Sequence, residues 1–166
     1  MTSPFFGKYR GVVTDNADPL RIARIRATVP DVFGDNDSGW AMPCAPWGSS
    51  GAGFFALPAK GAGVWIEFEQ GNPDYPIWVG CWWGSASEMP TTLQPTPADV
   101  VALITPGGAS LTLSDAPGTG GVTLKTADGA KIALTSSGIE ISNGQGATVK
   151  LSGPQVSVND GALEVT

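Results

Sequence analysis

The stretch Ile132-Ala-Leu134-Thr-Ser-Ser-Gly138-Ile139-Glu-Ile141 holds two copies of a short pattern that decides how this chain folds. In each copy a mostly polar residue separates two aliphatic ones, the two-residue period of a strand with one buried face. The pattern occurs seven times, in Leu111–Leu113, Val122–Leu124, Ile132–Leu134, Ile139–Ile141, Val149–Leu151, Val156–Val158 and Leu163–Val165. Turn signals such as Asn143-Gly144 and Asp160-Gly161 separate the copies, so the sequence predicts a run of short strands.

These strands lack the bulky residues that would fill a core. From residue 106 onwards the chain has no Phe, Tyr, Trp, Met or Cys. Short strands with one thin aliphatic face cannot bury that face alone, so we expect three copies to share it around a threefold axis. The predicted axis residues are Leu111, Leu113, Val122, Leu124, Ile132, Leu134, Ile139, Ile141, Val149, Leu151, Val156, Val158, Leu163 and Val165. A β-helix formed by a single chain is the alternative, but its coils need longer rungs than these.

Composition limits the class of protein. The 166 residues include 23 Gly and 14 Pro, which with few helix-forming runs favours an all-β fold. A net charge of −6 argues against nucleic acid as a partner, because phosphates would be repelled. The N-terminal residues lack a basic start followed by an apolar run, so we expect synthesis in the cytoplasm without a signal peptide. No apolar stretch reaches the roughly 20 residues that span a bilayer.

The aromatic residues divide the chain. All six Trp, all six Phe and both Tyr fall between Phe5 and Trp83. We therefore expect a compact domain over residues 1–84, a proline-rich linker over 85–105 and the repetitive needle over 106–166. Roughly five strands in the first eighty residues are typical of a small OB-fold barrel. The predicted fold is thus all-β, an N-terminal OB-fold barrel followed by a C-terminal trimeric β-helix or β-prism.

Few residues of the chain suit catalysis or metal binding. The chain has no histidine, so a serine or cysteine nucleophile would lack its usual base. Glu67 and Glu69 are predicted on one face of a strand, where they resemble an acid–base pair but more commonly face solvent. The run 35–37 has calcium-like acidic spacing without the remaining ligands. We therefore predict no catalytic residue, no metal and no cofactor.

Three further groups of residues carry structural predictions. Cys44 and Cys81 have apolar or aromatic neighbours in sequence, which favours buried, reduced thiols. Most of the six Trp are expected in the core. Exposed Trp could instead bind sugars, so the alternative function is a carbohydrate-binding or adhesin-like OB barrel with a β-solenoid stalk. A strand is predicted over 20–29, with Arg21, Arg24 and Arg26 on a solvated or interface face.

The first domain resembles a known family. The residues that carry the resemblance are Val29-Pro30-Asp31-Val32, Trp40-Ala41, Pro46, Gly53, Pro58, Gly61, Gly63-Val64, Ile66, Phe68, Gly71-Asn72-Pro73, Pro76-Ile77 and Val79-Gly80. They are similar to the barrel of baseplate spike proteins, the phage baseplate assembly protein V group and the valine-glycine-repeat spikes of contractile injection systems. The block from Gly71 to Gly80, with Asn72, Pro73 and Pro76, is the most specific part.

The resemblance implies a role and a set of partners. It implies a homotrimer whose barrels dock to a baseplate hub and whose needle points at the target envelope, touching the membrane only transiently. Relatives with a blunt needle end are capped by a conical (PAAR-like) tip protein, which here would contact Leu163, Val165 and Thr166. Two family features are absent: the lysozyme domain of some relatives and the histidine-ligated iron tip of others. The expected function is a structural, membrane-puncturing spike in a phage tail baseplate or an injection particle.

Overall fold

The computed structural model describes residues 4–95, 97 and 99–165. For Glu164 and Val165 it describes the backbone alone. The chain divides into two compact units between Met89 and Pro90. The strands are β1 Tyr9–Asp15, β2 Arg26–Thr28, β3 Met42–Pro43, β4 Gly48–Ser49, β5 Ala52–Gly53, β6 Gly63–Phe68, β7 Pro76–Trp82, β8 Val100–Ile104, β9 Ser110–Ser114, β10 Gly121–Lys125, β11 Lys131–Thr135, β12 Gly138–Ser142, β13 Thr148–Ser152, β14 Gln155–Val158 and β15 Leu163–Val165. The helices are α1 Pro30–Phe33 and the 3₁₀ turns Glu69–Gly71, Ala86–Glu88, Thr91–Leu93 and Asn159–Gly161.

The first unit is built on a five-stranded sheet in the order β2-β1-β6-β7-β3. Alternation along β6 places Val64, Ile66 and Phe68 in the core and the residues between them on the half-buried face. The core contains aliphatic residues and one phenylalanine, Phe68, whose ring meets Tyr9 at a tilt and Phe33 edge-on. None of the helices in the described part of the chain is long and apolar enough to cross a membrane.

The second unit is one antiparallel sheet of eight strands, in which β8 to β15 pair strictly with their neighbours in sequence. All seven predicted copies lie in strands, β9 to β15. The single-chain β-helix is wrong, because its coils would stack strands in parallel, whereas each of these strands turns straight back beside the one before. The sheet also begins at Val100, inside the segment expected as a linker, so it has eight strands where seven were counted.

Two predictions about the elements and core of the first unit need correction. The strand expected over 20–29 is limited to β2, because the backbone at Arg21 and Ala23 has positive φ and cannot continue a ladder. The core is not built from tryptophan: Trp47 and Trp83 are exposed, and the other four are half-buried. Rings this large are rarely buried completely in a small domain.

The two cysteines were expected to be buried, and this prediction is also wrong. Cys44 and Cys81 are both free and exposed in the single chain. Partial burial still raises the pKa of the Cys81 thiol, which favours its neutral form. Apolar neighbours in sequence therefore did not indicate burial here: Cys44 lies just beyond the end of β3, and Cys81 lies near the open end of the hairpin formed by β6 and β7.

Glycine allows a close approach between backbones at the starts of β10 and β12. Gly121 and Gly138 both pair with Thr135 and both have positive φ, 151° and 136°. A Cβ at Gly138 would lie 2.0 Å from the Leu151 carbonyl oxygen, and one at Gly121 would lie 2.0 Å from that of Leu134. Both clashes are with backbone atoms of the next strand, so a side chain could enter only if the ladder opened.

Replacing Gly138 with alanine should destabilise the protein by about 1–3 kcal/mol per chain, from the unfavourable φ together with the clash. Urea unfolding followed by circular dichroism measures the effect. Gly107→Ala is the matched control, because a Cβ there meets nothing within 4 Å. Equal unfolding midpoints for the two variants would contradict the backbone clash.

Candidate assembly interface

One face of the second unit carries aliphatic side chains in two continuous rows, which we call the aliphatic face. Strand register places the members of each row directly opposite one another. The first row is Val101, Leu113, Val122, Leu134, Ile139, Leu151, Val156 and Val165, and the second is Leu103, Leu111, Leu124, Ile132, Ile141, Val149, Val158 and Leu163. With strands about 4.8 Å apart, eight strands make these rows roughly 34 Å long.

The aliphatic face is open to solvent in the single chain. The exposed fraction is 69% at Val101, 49% at Leu124, 46% at Ile141 and 60% at Leu163. Leu111, Val149 and Val158 are half-buried, and the side chain of Val165 lies outside the described residues, as does all of Thr166. The sheet therefore places the described members of the predicted axis set on one face, and it adds Val101 and Leu103, which the sequence reasoning missed.

The opposite face of this sheet is polar. Thr112, Thr123, Glu140 and Lys150 follow one another in register across it, with Ala133 buried among them. Lys131 pairs with Glu140 at 3.0 Å, and Lys150 pairs with Asp160, whose carboxylate raises the pKa of the lysine. A sheet with one charged, ion-paired face and one aliphatic face presents the first to water and requires a cover for the second.

The last hairpin is shaped by three consecutive residues with positive φ, Asn159, Asp160 and Gly161. The Asn159 Oδ1 atom accepts a hydrogen bond of 3.0 Å from the backbone N–H of Thr148, in the place of a ladder partner. Asp160 turns back to Lys150 on the polar face. This arrangement closes the chain back onto β13 before β15 begins at Leu163, the first of the predicted tip contacts.

The family motif residues form a hairpin turn in the first unit. Gly71 is buried with φ of 76°, and its carbonyl accepts the Phe5 N–H at 2.8 Å. Asn72 Oδ1 accepts the Asp74 N–H, which folds the turn around Pro73. Pro76 is buried at the start of β7, and Gly80 follows a bulge opposite β6. These residues shape the hairpin between β6 and β7.

A buried ion pair organises the loop between β1 and β2, which we call the Asp18 loop (residues 18–24). The Asp18 carboxylate accepts the backbone N–H groups of Leu20, Ile22 and Arg24, and the Arg24 guanidinium at 2.7 Å. The Asp18 side chain is only 3% exposed. Arg24 and these N–H groups hold the pKa of Asp18 well below its usual range. Arg24 is therefore structural, and the prediction that it lies on a solvated face is wrong.

The two candidate catalytic carboxylates do not form a pair on one strand. Glu67 lies on β6 and is ion-paired with Lys8. Glu69 begins the 3₁₀ turn that follows, so the predicted common strand face does not exist. Among the described residues, no three His, Cys, Asp or Glu side chains lie close enough together to hold a metal ion.

Two protein-family models match the chain, one on each unit. Residues 9–83 match the type VI secretion system/phage-baseplate injector OB domain, and residues 100–164 match the phage baseplate V C-terminal trimerisation domain. Together they cover most of the chain. An OB domain joined to a trimerisation sheet defines the class of injection-apparatus spikes.

The chain belongs to the baseplate spike family. It is 36% identical over 59 residues to the type VI secretion system spike protein VgrG5 of Pseudomonas aeruginosa, a match covering 36% of this chain and 8% of that protein. It is 32% identical over 76 residues to the spike protein VgrG4b of the same organism, covering 45% and 9%. The chain thus spans less than a tenth of the length of these curated relatives.

The Asp18 loop generates a prediction about pH. Because the folded-state pKa of Asp18 is depressed, its ion pair stabilises the protein above the unfolded-state pKa, near 3.8, and the contribution is lost as pH falls below that value. Asp18→Asn should therefore lower the urea midpoint at pH 7, and the difference from wild type should shrink below about pH 4. Tryptophan fluorescence can follow this, since Trp78 Nε1 donates to the Ala23 carbonyl within the loop.

The control for this experiment is Asp35→Asn, which changes an exposed carboxylate with no hydrogen-bond or ion-pair partner among the described residues. It should leave the midpoint nearly unchanged at every pH. A difference between wild type and Asp18→Asn that stays constant from pH 7 to 3 would count against the ionised carboxylate as the organising group.

Proposed function

We propose that this chain is the homotrimeric central spike of a contractile phage tail or of a related injection system. The observation that carries the proposal is the aliphatic face, two rows wide and eight strands long, which the second unit leaves uncovered. Three copies brought together on a common axis would bury all three faces against one another. Membership of the spike family and the trimerisation-domain match support this arrangement over other ways of covering the face.

The energetics favour association. Burying the exposed half of a Leu, Ile or Val side chain contributes roughly 1 kcal/mol, and each copy offers more than a dozen such positions. Loss of translational freedom and ordering of side chains oppose this gain by about 4–15 kcal/mol for each association step. The trimer should consequently be obligate, with the second unit folding as the copies associate.

The proposed role is structural, with no catalytic step, cofactor or metal. The family is one of structural spikes, and the carboxylates that could have formed an acid–base pair serve an ion pair and a turn. A needle must carry axial load, and strands joined by hydrogen bonds along the whole sheet suit that role. Its acidic charge disfavours nucleic acid as cargo or partner.

The proposed partners follow the order of the two parts. We propose that residues 1–84, as the OB barrel, dock to a baseplate hub, and that the needle ends at a conical tip protein contacted by Leu163, Val165 and Thr166. The tip contact rests on the resemblance to relatives that are capped in this way. The particle would be a tail baseplate or an injection apparatus, and the spike would meet the target membrane only during puncture.

Replacing Ile141 with aspartate tests the trimer. The substitution would place three carboxylates at one level of the proposed axis, where desolvation and mutual repulsion coincide. We expect complete loss of the trimer at micromolar protein, measured as the mass by light scattering. Wild-type protein should give three times the chain mass.

Ser142→Asp is the matched control. Ser142 lies on the same strand but on the polar face, directly opposite Lys131, so a carboxylate there gains a cation. This variant should remain trimeric. A trimeric Ile141→Asp variant, or a compact monomeric wild type, would rule out the shared axis, and glycan binding by such a monomer would support the carbohydrate-binding alternative.

A further inference from the structure

The Asp18 loop displays apolar side chains at a cost in backbone strain. Leu20 is 63% exposed and Ile22 is 46% exposed, on either side of Arg21. Arg21 and Ala23 adopt φ of 56° and 64°, a strained conformation that non-glycine residues keep only where the surroundings enforce it. Asp18 enforces it here through three backbone N–H groups and the Arg24 guanidinium. The loop is therefore a rigid, outward-facing feature of the first unit.

Arg21 is the cation at the centre of this display. Its guanidinium has no ion pair or hydrogen bond to any described residue and is exposed. The other basic residues of the first unit are engaged: Lys8 with Glu67, Arg10 over the Trp65 and Trp82 rings, Arg24 with Asp18, Arg26 with the Ser38 carbonyl, and Lys60 with Asp15. The charge of Arg21 is thus available to a partner.

A groove of about 700 Å³ on the first unit has the complementary character, and we call it the acidic groove. Trp40, Met42 and Tyr75 supply apolar walls, with Met42 46% and Tyr75 60% exposed. Glu69 and Asp74 lie in the same lining, and neither carboxylate has a hydrogen-bond or ion-pair partner among the described side chains. Arg24 also lines the groove, over the Trp40 ring, but its charge is already paired with Asp18. The groove therefore fits an apolar segment that carries one cation.

We propose that the occupant of the acidic groove is the Asp18 loop of a neighbouring copy of this chain, with Leu20 and Ile22 against the apolar walls and Arg21 between Glu69 and Asp74. The inference rests on the proposed homotrimer. A threefold ring requires a heterologous contact, in which two different surfaces of one chain fit each other. The first unit carries such a pair, matched in both polarity and charge. This contact is separate from the aliphatic face.

Cross-linking tests the contact in the full-length chain. Cys44 lines the acidic groove and its residue is exposed, so it supplies one reactive thiol. In a Cys81→Ser background, Leu20→Cys supplies the other. Treatment with a short bismaleimide should give covalently linked dimers and trimers on a denaturing gel. Asp35→Cys in the same background is the control and should give at least fivefold less linked product. A cross-link within one chain leaves the protein at the monomer mass, so the gel distinguishes it from a cross-link between chains.

Charge exchange tests the ion pair. Adding Arg21→Glu to the Leu20→Cys protein should reduce the linked fraction at least fivefold, because three carboxylates then meet. Adding Glu69→Lys and Asp74→Lys to that variant should restore linkage to within about twofold. If Arg21 only stabilised its own loop, the Glu69→Lys and Asp74→Lys changes would not restore the linkage that Arg21→Glu removes.

The result separates this inference from the proposed function. A trimer by light scattering whose Leu20→Cys form cross-links no better than the control overturns the loop-to-groove contact and leaves the aliphatic axis intact. Linkage that is undiminished by Arg21→Glu overturns the ion pair and therefore the inference. A monomeric wild type overturns the proposed function itself. If the protein is a trimer but does not cross-link, and the acidic groove binds an unrelated basic peptide, the groove would serve a partner other than a second copy of this chain.

Discussion

The second unit depends on one constraint: strands of three to five residues can show two aliphatic side chains to one side, and in the described part of this unit no second layer covers them. Eight such strands form a sheet whose ladder hydrogen bonds are satisfied within the chain, except at its two edges. Its apolar face is not satisfied, since Leu124, Ile141 and Leu163 remain about half exposed or more. The fold therefore separates two tasks: the ladder hydrogen bonds form within one chain, whereas in the proposed trimer the apolar core would form between chains.

The needle could be predicted from the sequence because its signal is local and repeated. An aliphatic residue on either side of a polar one, bounded by turn residues, specifies both the strand and the face it shows. The eighth strand carries the same signal, Val101-Ala-Leu103, but it closely follows Pro95 and Pro97, which are typical of a linker. Part of the strand register could also be predicted, since a two-residue turn such as Gly153-Pro154 fixes the pairing of Ser152 on β13 with Gln155 on β14.

The first unit was harder to predict because its decisive contacts link distant residues or depend on loop geometry. Strand count and the hairpin at Gly71 followed from pattern, whereas the burial of Trp78 and Trp82 is set by hydrogen bonds from their indoles to the Ala23 and Val64 carbonyls. The Asp18 loop lies within seven residues, yet no propensity indicates that one carboxylate would collect three backbone N–H groups. Composition showed that the aromatic residues belong to this unit without showing which of them form its core.

The two units thus represent opposite solutions to the same problem of burying apolar surface. The first unit closes a core on residues such as Ile25, Val64 and Ile66, and can hold strained loops because that core is complete. In the proposed trimer the second unit would complete its core only when copies meet, so its folding would depend on protein concentration and its core would need no bulky side chain. An acidic chain that must associate with itself meets like-charge repulsion. The uncharged aliphatic rows avoid that repulsion. In the proposed contact between first units, Arg21 of one copy would meet Glu69 and Asp74 of the next, so the local electrostatic interaction would be attractive.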